Sequence, residues 1–269
     1  FDRVSRIALA IALVAVPLIA WNGLTADAGP WTLLQRIDPA LTSWFAGTTA
    51  LGIVSTLAWG LGYFGQPHII VRFMAIRSVA DIPTARRIGL GWMAVSLIGA
   101  CAVGLIGKAY LSYEGIYIED PETVLIRLGA VLLHPLLLGC LLAAILAAIM
   151  STISAQLLVT GSSLAEDFYR LFVRHSASER EVVGIGRLSV IAVAAVALVL
   201  AQNPNGSVLS LVANAWAGFG AAFGPVILLA LTWQRMTLAG ALAGMVTGAA
   251  MVIGWIAAGW SDWLYEIVP

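Results

Sequence analysis

Charge is scarce in this sequence. Only 10% of its 269 residues are Asp, Glu, Lys or Arg, and 14 basic residues face 14 acidic ones, so the net charge is zero. A balanced, sparse charge supplies no basic surface for nucleic acid. Cysteine is scarcer still: Cys101 and Cys140 each lie inside an apolar run, giving neither a disulfide framework nor a metal-binding spacing. Both read as small packing residues. The three histidines, His68, His134 and His175, fall near the ends of apolar runs or in a connection. No nucleophile–base pair or metal-ligand set emerges, which argues against an enzyme. Nor does any Asp, Glu, Lys or Arg sit deep within an apolar run. Proton-driven carriers commonly need such a group at membrane depth, so proton coupling through this part of the protein is disfavoured.

What abounds is apolar. The chain is 61% hydrophobic with a mean hydropathy of +0.96, more than a soluble domain can bury, and the fold class that follows is an all-α polytopic membrane protein. Seven spans can be drawn, at about Ile7–Leu24, Trp44–Ile70, Ile88–Tyr110, Pro135–Ser163, Leu188–Ala201, Val208–Thr232 and Leu238–Trp260. The basic residues set their direction. Arg3, Arg6, Arg72, Arg77, Arg86, Arg87, Arg170, Arg174, Arg180, Arg187 and Arg235 fall in one set of loops, and only Arg36, Lys108 and Arg127 in the other. The asymmetry puts the N-terminus in the cytoplasm and the C-terminal end outside. Phe1 is not an initiator and the end at Pro269 is abrupt, so the expectation is a fragment of a longer protein whose basic start opens a spanning helix and not a signal peptide. The 111–134 connection is external and acidic, and its part Glu122–Leu133 is either a short helix or a solvated loop. The Glu166–Arg187 connection is cytoplasmic and partly helical.

The fourth span is the most telling. Pro135 suits a first helical position. Ser151 and Thr152 follow about sixteen residues on, roughly halfway through a ~30 Å hydrocarbon layer at ~1.5 Å per residue. They stand i+3 and i+4 from Ala148, so both hydroxyls lean back toward its carbonyl. Three uncharged oxygens on one helix face at mid-membrane suit a dehydrated small cation. Ala144, Ala148, Ser151 and Ala155 equally form a stripe of small residues on which helices pack, and this stretch alone leaves both readings open.

In the second span, Gly60, Gly62, Gly65 and Pro67 fall within eight residues. Gly lowers helix propensity by about 1 kcal/mol and Pro by about 3, so a break or bend is expected. Irregular backbone at membrane depth is tolerated only against protein or a watery cavity. Trp59 and Tyr63 stand i and i+4 with Pro67 one turn further, which gives one face: either a substrate wall, or close packing with interfacial aromatics. Strong donors along this span are few, essentially Ser55, Thr56, Tyr63 and Gln66. The sixth span repeats the texture at Asn214–Pro225, where Trp216 and Phe219 are candidates to face a cavity and close packing is the favoured reading for most of the stretch.

The stretches Trp59–Ala75, Ala147–Val159, Ser162–Tyr169 and Ala215–Pro225 together resemble the sodium/solute symporter family, and within it the branch that carries proline. The resemblance threads nearly the whole chain from the second span onward. It implies the leucine-transporter-like fold, in which two five-helix repeats of opposite orientation hold substrate and ion between them. Residues 44–232 would then be the second repeat, 7–24 the preceding helix and 238–260 the following one, with an N-terminal repeat of the same protein missing. It further implies sodium ligands at the Ala148 carbonyl and the Ser151 and Thr152 hydroxyls, completed by oxygens from the missing repeat. Trp59, Tyr63 and Pro67 would line the proline side of a broken helix, Gly60 and Gly62 would give it backbone freedom, and Gln66 would add a donor. One departure is Ala155, where relatives carry cysteine, a difference in packing more than in ligand chemistry. The activity implied is sodium-driven symport of L-proline by alternating access across the bacterial cytoplasmic membrane. The alternatives are a symporter for another small solute, a transporter-like sensor domain of a signalling protein, and a structural or channel-like bundle.

Overall fold

A computed structural model describes residues 2–24, 29–43, 45–202 and 207–269, and among them every regular element is a helix. Five helical stretches are long and apolar enough to cross a membrane: Val79–Tyr113, Pro135–Val173, Glu179–Leu200, Val208–Thr232 and Leu238–Ala257; two shorter apolar ones are Ile7–Gly23 and Ala50–Gly65. These seven correspond to the seven spans drawn from hydropathy. Between 6% and 22% of the residues in the long apolar windows are buried by the chain itself. Apolar sides left so bare are those of helices that face lipid or further protein. The protein is an integral membrane protein.

The chain forms two compact units, Phe1–Gly47 with Arg77–Ser154, and Thr48–Ile76 with Ala155–Pro269. In the first, α1 (Asp2–Gly23), α2 (Pro30–Ile37), α5 (Ile82–Tyr113) and α6 (Val124–Leu132) assemble, around Val16, Ala20, Tyr110, Leu111 and Leu128. The helices approach closely where they carry glycine. A Cβ on Gly99 would stand 2.9 Å from the Leu13 Cβ, and one on Gly107 would stand 3.0 Å from Val124. For Glu122–Leu133, the structure selects the short helix, α6, preceded by a tight turn at Pro121–Thr123. Helix α2 was not foreseen; eight residues with a single apolar turn give no periodicity, although Pro30 does mark its start.

In the second unit the interruption of the second span is real. α3 runs Ala50–Ala58, a 3₁₀ segment follows at Trp59–Gly65, and Gln66 is extended at φ −84°, ψ 112° before α4 resumes at Pro67–Met74. Proline disfavours helical backbone at the residue before it, which is why the break falls at Gln66. The span's expected start at Trp44 lies outside the described residues; helix begins at Ala50, where the Thr49 hydroxyl caps the Gly52 N–H. Ser178, Ser207 and Thr237 likewise cap α8 (Glu179–Leu200), α9 (Val208–Thr232) and α10 (Leu238–Ala257).

Helix α7, Pro135–Ser162, runs on past its expected end as a wider π-type winding to Val173. That winding is tied to the start of α8. Tyr169 donates to the Glu181 carboxylate at 2.7 Å and Arg174 donates to it at 2.8 Å.

Candidate functional site

The fourth-span oxygens lie on a continuous helix. Thr152 Oγ1 donates to the Ala148 carbonyl at 3.1 Å, the lean-back expected from their spacing. The hydroxyl oxygen keeps its lone pairs, whereas the Ala148 carbonyl, inside a continuous helix, takes both the Thr152 backbone N–H and the Thr152 hydroxyl. Ser151 is half-buried and Thr152 exposed on this chain. The donor set is hard, neutral oxygen, which fits an alkali cation and offers a softer metal no thiolate or imidazole.

The second unit holds the aromatic face. Trp216 of α9 lies against the 3₁₀ segment: its ring meets Tyr63 edge-on at 4.8 Å and stacks with Trp59 at 6.3 Å, and its indole N–H donates to the Trp59 carbonyl at 2.9 Å. That carbonyl needs an outside donor because a tight, glycine-rich winding supplies poor internal partners. Trp59 also stacks with Tyr265 at 5.7 Å and 12°. Tyr265 lies beyond the spanning helices, donates its hydroxyl to the Ala213 carbonyl at 2.8 Å and gives its N–H to Ser55 Oγ at 3.1 Å. Burial, and secondarily the Glu266 carboxylate, push its phenol well above the usual range, so it remains a donor.

The glycines divide into two kinds. A Cβ on Gly62 would fall on the Trp216 indole nitrogen, and one on Gly65 on the Phe219 carbonyl; from the facing helix, a Cβ on Gly220 would come 2.8 Å from the Gly62 Cα. These positions let α9 seat on the 3₁₀ segment backbone to backbone. Gly60 faces open space. None of these four has a positive φ, so close approach and not an unusual conformation explains Gly62. Gln66 is 4% exposed and its amide donates to the Trp216 carbonyl at 3.2 Å. Pro67 is the first residue of α4, whereas Tyr63 is 43% exposed. Trp59, Gly62, Tyr63 and Gln66 thus all meet Trp216. Of the two sixth-span candidates, Phe219 lines a cavity of about 460 Å³ with residues of α10, whereas Trp216 packs on the 3₁₀ segment. Tyr265 was missed: it follows the last apolar run in W-S-D-W-L-Y, an aromatic cluster that reads as an interfacial belt.

The chain thus carries a broken apolar helix with an aromatic face and, separately, a continuous helix with neutral oxygens at its middle. Residues 9–248 match the Sodium:solute symporter family, and the chain belongs to that family. It is 56% identical over 268 residues to the High-affinity proline transporter PutP of Bacillus subtilis and 50% identical over 270 residues to the Osmoregulated proline transporter OpuE of the same organism. It is 52% identical over 280 residues to a Sodium/proline symporter of Staphylococcus aureus. Each comparison covers 100% of this chain but 57%, 55% and 54% of the relative, so the chain spans little more than half their length. No solved structure matches it.

Proposed function

We propose that this chain is the C-terminal part of a sodium-driven L-proline symporter of the bacterial cytoplasmic membrane, with residue 1 on the cytoplasmic side and residue 269 outside. The observation that carries the reading is identity of 50% or more along the entire chain to proteins named for proline transport. Sodium and proline are both cargo. The Ala148, Ser151 and Thr152 oxygens take the place of part of the water shell of Na⁺, and the N-terminal repeat supplies the rest. Proline is a zwitterion with an apolar ring. The ring packs on Trp59 and Tyr63, Gly60, Gly62 and Pro67 shape the bent segment, and the N-terminal end of α4 beyond Gln66 faces the carboxylate. Sodium favours the outward-open state that binds proline, a coupling that is necessarily reciprocal. In this scheme residues 44–232 form the second inverted repeat.

The test is uptake of labelled proline by the full-length protein in liposomes under an imposed sodium gradient. Uptake that ignores the gradient, or a different solute outcompeting proline, removes the assignment. Trp59→Ala is expected to weaken proline half-saturation about tenfold, the equivalent of ~1.4 kcal/mol for one aromatic wall. The sodium response at saturating proline should hardly change. Wild-type proline half-saturation in that variant would exclude the aromatic contact.

A further inference from the structure

Another cavity, of about 550 Å³, lies within the second unit, between the end of α7 with its π-type winding and the first half of α8. The two helices meet there on glycine: a Cβ on Gly161 would stand 2.7 Å from Val190 and 3.2 Å from the Gly186 carbonyl. The groove beside this contact is apolar. Leu158, Val183 and Ile191 line it, and each is more than half exposed. Two charged residues reach it, Glu166 and Arg187. Glu166 is already paired with Arg170 at 3.1 Å, and Arg170 and Arg174 also hold Glu179 and Glu181. Asp167, next to Glu166, does not line the groove. Arg187 forms no ion pair among the described residues, nor does Arg180, two turns earlier on the same face of α8. The uncompensated charge at the groove is therefore positive.

The depth of Arg187 in the helix decides which anion it meets. The span drawn from Leu188 to Ala201 is short, because a ~30 Å hydrocarbon layer takes about 20 residues. Helix α8 continues back through V-V-G-I-G, so its apolar stretch is Val182–Leu200 with Arg187 as the single charge in it. That stretch is about 29 Å long at ~1.5 Å per residue, and Arg187 stands about 8 Å inside its N-terminal end. From there the long side chain lifts its guanidinium to the level of the lipid phosphates. We propose that the groove binds an anionic phospholipid, its phosphate on Arg187 and one acyl chain along Leu158, Val183 and Ile191. A guanidinium offers paired donors to phosphate oxygens. A free phosphate ion would meet Arg187 but leave the apolar walls bare, and a zwitterionic lipid brings an ammonium beside its phosphate. The proposal does not depend on which solute the protein moves.

The test uses the full-length protein purified in an uncharged detergent. Its melting temperature is followed as phosphatidylglycerol is added, with phosphatidylcholine of the same acyl chains and inorganic phosphate as controls. Phosphatidylglycerol is expected to raise the melting temperature at lower concentration than phosphatidylcholine, and phosphate alone to leave it unmoved. Arg187→Gln should raise the phosphatidylglycerol concentration for half-maximal effect about tenfold, the size of one charge-assisted hydrogen bond. Arg187→Lys, which keeps the charge, should recover most of that loss. Ile191→Trp fills the groove from an exposed position and should also weaken the phosphatidylglycerol response, which keeps the test open should Arg187→Gln fold poorly. Equal responses to the two lipids, or an unchanged phosphatidylglycerol response in both Arg187→Gln and Ile191→Trp, overturn the lipid site. An effect of phosphate as large as that of the lipid overturns it in favour of a plain anion site. A lower melting temperature or a changed oligomeric state in Ile191→Trp, with the lipid response intact, overturns it in favour of a groove covered by another part of the full-length protein or by a second copy.

Discussion

Thr152→Ala in the full-length carrier is expected to raise the sodium concentration for half-maximal proline uptake by about 10- to 100-fold. Losing even an indirect support of a bound metal commonly costs that much affinity, and Thr152 is proposed as a direct ligand. The substitution removes the proposed ligand oxygen and also takes away the 3.1 Å hydroxyl bond to the Ala148 carbonyl. Folding should be little affected, because alanine is the better helix former and no buried partner is orphaned. Thr152→Ser is the informative companion: it keeps the oxygen and should stay within a few-fold of the unaltered protein. Ser151→Ala should resemble Thr152→Ala. Sodium dependence unchanged in both alanine variants would return this stretch to the alternative of a packing stripe.

The second large effect concerns the seat between the broken span and α9. Gly62→Val is expected to destabilise the protein by about 1–3 kcal/mol or more, because the added atoms occupy the place of the Trp216 indole, which cannot withdraw without giving up its bond to the Trp59 carbonyl. Proline affinity should fall with it, since Trp59 loses the contact that fixes its position. Gly60→Ala, two residues away and facing open space, should change the melting temperature of the purified protein far less. Equal losses at the two positions would mean that glycine is needed there for conformational freedom, and the close-packed seat would be wrong.

These two glycines also show where sequence reading stopped. Both were grouped as sources of backbone freedom, and only the position of α9 tells them apart. Gln66 is a similar case: as one of few donors on its span it was a candidate to meet solute, yet its amide is buried against the Trp216 carbonyl. By contrast, the Ala148–Thr152 bond was legible, because i and i+4 geometry within one helix depends on nothing beyond the helix itself.

That distinction holds for the molecule. Local sequence was sufficient for the number and approximate place of the spans, the interruption before Pro67 and the lean of Thr152 on Ala148, since apolar length, proline sterics and helix periodicity act within a few residues of chain. Tertiary structure alone decided that Trp59 stacks with both Trp216 and Tyr265, that Gly62 and not Gly60 is confined, and that Ser55 accepts the Tyr265 N–H. Those partners stand some 150 to 210 residues apart, and only helix packing brings them within bonding distance.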